Sequence, residues 1–216
     1  MTASGAGETL GGDTRAKLIE GALTTLRTHG IAGTSARTIA TTAGVNQALV
    51  FYHFGSVHDL LAAACLQSSQ DQVAYYQERF AAVTSLRELL DLSRDLHTNE
   101  QATGNLVILA QMLAGAQTDP KIASASAACL DLWVAELENV LTRILTDSPL
   151  AEFIDVGGLA RGVAASFIGL ELYEGVDQQG SARALSALEQ LTTIAALLDD
   201  AGPLIRRGLR TRMRRT

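Results

Sequence analysis

A chain of 216 residues with 47% hydrophobic and 19% charged side chains can bury a sizeable core and is not disordered. Leu and Ala dominate, aromatics make up 5%, and there are three prolines, a mix that favours helix over sheet. The formal charge of −6 excludes a protein that coats nucleic acid through bulk positive charge, but it is unevenly spread. Residues 1–60 balance four basic against four acidic side chains, residues 61–205 carry seven basic and 19 acidic, and residues 206–216 carry six arginines and no acid. This pattern allows a small DNA-reading module on an acidic body.

The opening "MTASGAGETLGGD" has no apolar core and is not a signal peptide. The runs "NLVILAQMLAGA" and "VAASFIGLELY" are too short to span a bilayer. The expectation is a cytoplasmic protein with no membrane partner. Cys65 and Cys129 fall inside apolar helical patterns and read as buried, reduced thiols; no basic residue flanks either one to favour a thiolate.

Residues 1–12 are rich in Gly, Ser and Thr and read as a flexible lead. From Asp13, apolar residues at Ala16, Ile19, Leu23 and Leu26 predict an amphipathic helix that ends at His29-Gly30. Thr34 and Ser35 are both candidate caps for a short second helix, "ARTIATTA". Gly44 permits a tight turn, and Asn46 caps a short third helix. Ser56, with Asp59 three residues on, starts a long fourth helix running to about Phe80. Further helices are predicted near 85–98, 102–117, 120–146, 155–175 and 182–199, with a weak one after Pro203. The fold class is all-α. It comprises an N-terminal three-helix unit (13–55), a larger helical domain (56–205), for which the family resemblance given below implies ligand binding and dimerisation, and a basic tail (206–216). The tail "RRGLRTRMRR" reads as a solvated end lying against the acidic body.

Two short helices joined by a glycine turn have the punctuation of a helix-turn-helix. The second helix must be short to enter a major groove. Ile39, Ala40, Val45, Val50 and Phe54 supply the apolar seam, which leaves Asn46, Gln47, Ala48, Leu49, Phe51, Tyr52 and His53 largely outside the core. The Gln47 amide can bond both N6 and N7 of adenine. The hydroxyls of Thr34 and Ser35 at a helix N-terminus suit phosphate oxygens, and Arg37 is a candidate phosphate contact. Arg15, Lys17, Arg27 and Arg37 are expected to gather on the DNA-facing side.

The stretch "TSARTIATTAGVNQALVFYHF" resembles the N-terminal signature of the TetR family of transcriptional regulators. That resemblance implies binding of double-stranded operator DNA as a homodimer, and a helical domain that takes a small-molecule effector. It assigns base reading to Gln47 and Ala48, and phosphate positions to Thr34, Thr38, Tyr52 and His53. Two positions depart from the family. Phe51 stands where a phosphate-bonding tyrosine is frequent, and Val57 where a lysine is common, with His58 beside it. Fewer charged contacts imply modest affinity and a shallow salt dependence.

In the second domain, Gly158, Gly162, Ala165 and Gly169 form a stripe of small residues suited to close helix packing across a dimer. By helix order the resemblance makes the last two long helices the dimer interface. Tyr75, Tyr76, Met112, Trp133 and Phe167 are the candidate ligand-lining side chains, while His97 reads as a helix-end surface residue. The chain has no nucleophile motif, no phosphate loop and only four histidines without metal-ligand spacing, so the sequence calls for no enzyme activity, cofactor or metal. The competing reading is a helical interaction protein, or a regulator controlled by a protein partner.

Overall fold

The Leu- and Ala-rich periodicity becomes nine helices in the described part of a computed structural model, which covers residues 5–146, 148 and 153–199. They are α1 (Gly5–His29), α2 (Ala36–Ala43), α3 (Ala48–Phe54), α4 (Val57–Ala82), α5 (Leu86–Thr103), α6 (Asn105–Ala116), α7 (Pro120–Leu145), α8 (Val156–Glu174) and α9 (Gln178–Asp199). The described residues contain no strand. The expected order of helices holds among the described residues.

Two boundaries differ from the sequence reading. Helix α1 begins at Gly5 rather than Asp13, because extending a helix past an established nucleus needs only one more residue fixed per hydrogen bond. The α5/α6 break falls at Gly104, whose φ of 72° ends the ladder, rather than before residue 102. The tail at 206–216 and the expected helix after Pro203 lie outside the described residues.

Local chemistry sets most of the helix starts. The Ser56 hydroxyl accepts from the Asp59 amide at 3.1 Å, and the Glu88 amide donates to Ser85 at 3.2 Å. The Asp155 carboxylate accepts from the Gly158 amide at 3.0 Å, opening α8.

Contacts divide the chain into two units. The first takes the residues up to Gln72 together with Glu100–Leu130. Its core joins Leu18, Ala22 and Leu26 of α1, Ile39 of α2, Val50 of α3, Leu60 and Ala64 of α4, Met112 of α6 and Ile122 of α7. This unit is larger than the three-helix module read from residues 13–55. One long and two short helices bury little apolar surface by themselves, and α6 covers a further side of α1. Gln111 ties the two together by accepting from the Ile31 amide at 2.9 Å.

The second unit takes Val73–Asn99 and the chain from Asp131. Its core holds Tyr76, Phe80, Leu89, Leu92, Leu96, Val134, Val140, Leu141 and Ala160. Among the described residues, no single helix is long and apolar enough to cross a membrane.

Candidate functional site

The α2–turn–α3 element is built by packing on one side and cap chemistry at its ends. A Cβ placed on Gly21 of α1 would lie 2.8 Å from the Ala43 Cβ and 3.1 Å from the Ile39 carbonyl, so the α1–α2 crossing requires glycine there. Nothing in the sequence singles out Gly21 for this contact. Thr25, fully buried in α1, donates to the Gly21 carbonyl at 2.6 Å and bonds the Thr42 hydroxyl at 3.2 Å, so its polar atom is satisfied inside the crossing.

Helix α2 opens on a reciprocal cap. The Thr38 amide donates to the Ser35 hydroxyl at 3.1 Å, and the Ser35 amide donates back to the Thr38 hydroxyl at 2.8 Å. Thr34 turns its hydroxyl onto the Gly30 carbonyl at 2.8 Å. These three hydroxyls therefore have structural partners of their own, although each retains acceptor capacity. Arg37 is exposed on α2. The helix closes at Gly44, with φ of 65°, and Val45 donates to the Ala40 carbonyl at 3.0 Å.

Helix α3 has seven residues and one inward anchor, Val50, which is fully buried. Leu49 and Phe54 pack part-buried against the same core. Opposite that anchor, Gln47, Ala48, Phe51 and Tyr52 are exposed at helical spacing, with Phe51 at 50% and Tyr52 at 81%. Asn46 is exposed, but its side-chain oxygen is occupied by the Ala48 amide at 2.8 Å, so it serves as the cap the sequence suggested. His53 is half-buried and meets the Tyr52 ring edge-on, with centroids 4.9 Å apart.

The cations do not all gather. Arg15 stacks over Phe54 at the end of α3, 5.2 Å from the ring centroid. Lys17 pairs with Asp13 at 2.6 Å. Arg27 departs from the expectation. It is half-buried, and its Cδ lies 2.8 Å from the position of a Cβ on Gly104, because the last turn of α1 packs toward the start of α6. Val57 is part-buried in the core, and His58 beside it sits 3.4 Å from Asp119.

Residues 18–64, the span holding this element, match the family described as bacterial regulatory proteins, tetR family. The N-terminal segment of the chain thus carries the DNA-binding signature of that family.

An uncharacterized HTH-type transcriptional regulator of Mycobacterium tuberculosis is 26% identical over 110 residues, 51% of this chain. That alignment covers 56% of the mycobacterial protein, so the match spans little more than half of its length. Among solved structures, the transcriptional regulator FadR from Bacillus subtilis, in complex with stearoyl-CoA, superposes with a TM-score of 0.68 at 13% identity, over 82% of this chain and 96% of its own. Salmonella enterica GusR gives 0.65 at 16% identity, over 93% of each chain. At such identities the likeness establishes the fold alone.

In the second unit, four aromatics meet. Tyr76 is 1% exposed and lies 6.2 Å from Trp133, ring centre to ring centre, and Phe80 lies 6.3 Å from Trp133 on another side. Phe167 of α8 packs part-buried against the same cluster. Of the five ligand-lining candidates, Tyr76, Trp133 and Phe167 thus share one cluster. Tyr75 is 71% exposed, and Met112 is sealed in the core of the first unit. Phe80 belongs to this cluster but did not stand out in the sequence, where nothing marks one aromatic of α4 over another.

His97 is not a surface residue at a helix end. It lies within α5, its ring bridging Glu171 through Nδ1 and Glu174 through Nε2, the latter at 3.2 Å. Burial raises the Glu171 carboxyl above the ordinary range, against the pull of its bond to His97.

The small-residue stripe of α8 faces outward. Gly158, Gly162, Ala165 and Gly169 are exposed, and a Cβ on Gly162 or Gly169 would meet nothing within 4 Å. Beyond it, Leu172 is 48%, Tyr173 49% and Val176 86% exposed. The opposite side of α8 packs inward through Ala160, Ala164 and Phe167.

Cys65 and Cys129 are both buried and free. Their shared hydrogen bond, together with burial, pushes the Cys65 thiol up, while the same bond pulls Cys129 down to about 7 against its burial. The sequence reading sought a basic neighbour as the cause of such a shift; the neighbour is a second thiol.

Proposed function

We propose that this chain is a homodimeric transcriptional regulator that binds a palindromic operator as a repressor and releases it when a small apolar or amphipathic ligand binds the second unit. The observation that carries the reading is the outward face of α3. Gln47, Ala48, Phe51 and Tyr52 leave the core together on a helix short enough for a major groove, held by Val50 from behind.

In this reading Gln47 and Ala48 contact base edges, and Phe51 and Leu49 offer apolar surface to a thymine methyl. Thr34, Ser35, Arg37, Thr38, Asn46, Tyr52 and His53 lie toward the phosphates and set the register of the helix rather than its sequence choice. The Ser35 and Thr38 hydroxyls already share the cap of α2 and the Thr34 hydroxyl donates to the Gly30 carbonyl, so their contribution is positional.

Two protomers joined through the open face of α8, with α9 beside it, would carry two copies of α3, which suits half-sites about one helical turn apart or a multiple of it. The ligand-lining proposal centres on Tyr76, Trp133 and Phe167, with Tyr75 at its margin; Met112 would act through the core of the first unit. The FadR relative was solved with stearoyl-CoA, whose long acyl chain is the kind of group an aromatic and aliphatic cluster accommodates. Ligand and operator would then weaken each other by the same factor, typically a coupling of about 1–3 kcal/mol.

Sequencing the fragments that the purified protein retains from a random DNA pool tests the reading. An enriched inverted repeat is expected, with half-site centres about 10 base pairs apart or a multiple of that. A retained pool with no enriched motif contradicts it.

A further inference from the structure

The chemistry around His97 is not used by the DNA-binding reading. His97 stands on α5, and Glu171 and Glu174, three residues apart on α8, reach the same point of the second unit from the other side. One donor atom from each of the three residues can be chosen so that all lie within 4.8 Å of one another.

Pairing alone leaves this group unsatisfied. The imidazole can donate to both carboxylates only as the imidazolium, and that uses one oxygen of each. The Glu171 side chain is 6% exposed, and its second oxygen, Oε2, is buried with no hydrogen-bond partner. A buried carboxylate oxygen without a partner is costly and calls for an occupant. One histidine against two carboxylates also leaves the cluster net negative in its best-paired state. A cation would resolve both problems.

We propose that His97, Glu171 and Glu174 form a binding site for a divalent first-row transition-metal cation, with Zn²⁺ as its probe. The imidazole donor selects this class over Mg²⁺ and Ca²⁺, which prefer all-oxygen shells. Three protein ligands leave a fourth position for water. Donors bound at about 2.0–2.2 Å from one ion lie at most about 4.4 Å apart, so rotation of the partly exposed Glu174 side chain closes the group around a cation. One ring nitrogen of His97 would ligate, while the other stays hydrogen-bonded to a carboxylate and fixes the ring. The i, i+3 spacing on α8 presents both glutamates on one face, and α5 supplies the histidine; the sequence separation of 74 residues hid the arrangement.

The inference is independent of the DNA reading, and its test contains no DNA. The full chain, stripped with a chelator, is titrated with Zn²⁺ by calorimetry. One Zn²⁺ per chain is expected. His97→Ala and Glu171→Gln should each weaken binding by about tenfold or more, a loss at least as large as that for second-shell groups. Glu174→Gln, at a more exposed position, should do the same while leaving the circular dichroism spectrum unchanged, and it decides the matter if the other variants fold poorly. Cys129→Ser should bind as the wild type does, which separates this site from the thiol pair. Mg²⁺ in place of Zn²⁺ should give no comparable heat. Absence of saturable Zn²⁺ binding by the wild type, or wild-type affinity in Glu174→Gln, overturns the proposal.

Discussion

Arg15 of α1 holds its guanidinium 5.2 Å from the centre of the Phe54 ring at the end of α3. The contact joins the first helix to the last turn of the helix that displays Gln47 and Tyr52. A cation over an aromatic face at an exposed site is worth about 0.5–1 kcal/mol. Arg15→Ala should lower the unfolding free energy by about that amount, read as a shift of the urea midpoint at constant slope, with Arg15→Lys losing less. An unmoved midpoint would mean that the ring holds its place through Val50 and the core alone.

A face open in one protomer can be blocked without disturbing its fold. A side chain on Gly169 meets nothing within 4 Å, so Gly169→Phe should leave the helical signal unchanged. In a close-packed dimer contact the same ring would overpack by about 1–3 kcal/mol. Sedimentation should therefore show a wild-type dimer at micromolar concentration and a larger monomer fraction for the variant. A wild-type monomer would remove α8 from the interface.

The turn between α2 and α3 depends on backbone conformation rather than on space. Gly44 has φ of 65°, and nothing lies within 4 Å of an added Cβ. Gly44→Ala should cost about 1 kcal/mol, the left-handed penalty less the gain from a stiffer unfolded chain. Gly44→Asn should cost less, because asparagine enters that region more readily. Equal midpoints for Ala and Gly in thermal unfolding would contradict the assignment.

The start of α4 carries an acid-sensitive contact. Asp59 accepts from the Ser56 hydroxyl at 2.6 Å and from Lys121 at 3.2 Å, and these bonds hold its carboxyl below the ordinary value of 3.8. A folded-state pKa below the unfolded one contributes stability that is fully present above the unfolded value and is lost as pH falls through the folded value. The midpoint of wild-type unfolding should thus keep this contribution at neutral pH and lose it below about pH 4. Asp59→Asn should lower the midpoint at pH 7 and flatten the acid limb. Parallel pH profiles for the two proteins would show that the contact contributes nothing.

The sequence was most informative where structure is local. The Ser35 and Ser56 caps, the Gly44 turn and the short α3 follow from neighbours within four residues; of the seven residues expected outside the core, Asn46, Gln47, Ala48, Phe51 and Tyr52 are exposed, while Leu49 and His53 are half-buried beside the anchor Val50. What stayed hidden depends on contacts far apart in the chain. Gln111 reaches the Ile31 amide across 80 residues and helps make α6 part of the first unit. Gly21 reads as an ordinary helical glycine until Ala43 is placed against it. His97 reads as a surface residue until Glu171 and Glu174 are brought beside it. Met112 shares the apolar character of the ligand-lining candidates, and only packing assigns it to the first core.

The central claim is that the outward face of α3 reads base pairs, and paired titrations of one enriched DNA site and its scrambled version, at physiological salt, test it most directly. The wild type should prefer the true site by about 10³-fold or more. Gln47→Ala should lose about 1–3 kcal/mol on the true site, with little change on the scrambled one. Equal affinity of the wild type for both sequences, or a Gln47→Ala protein that discriminates as well as the wild type, would contradict the account.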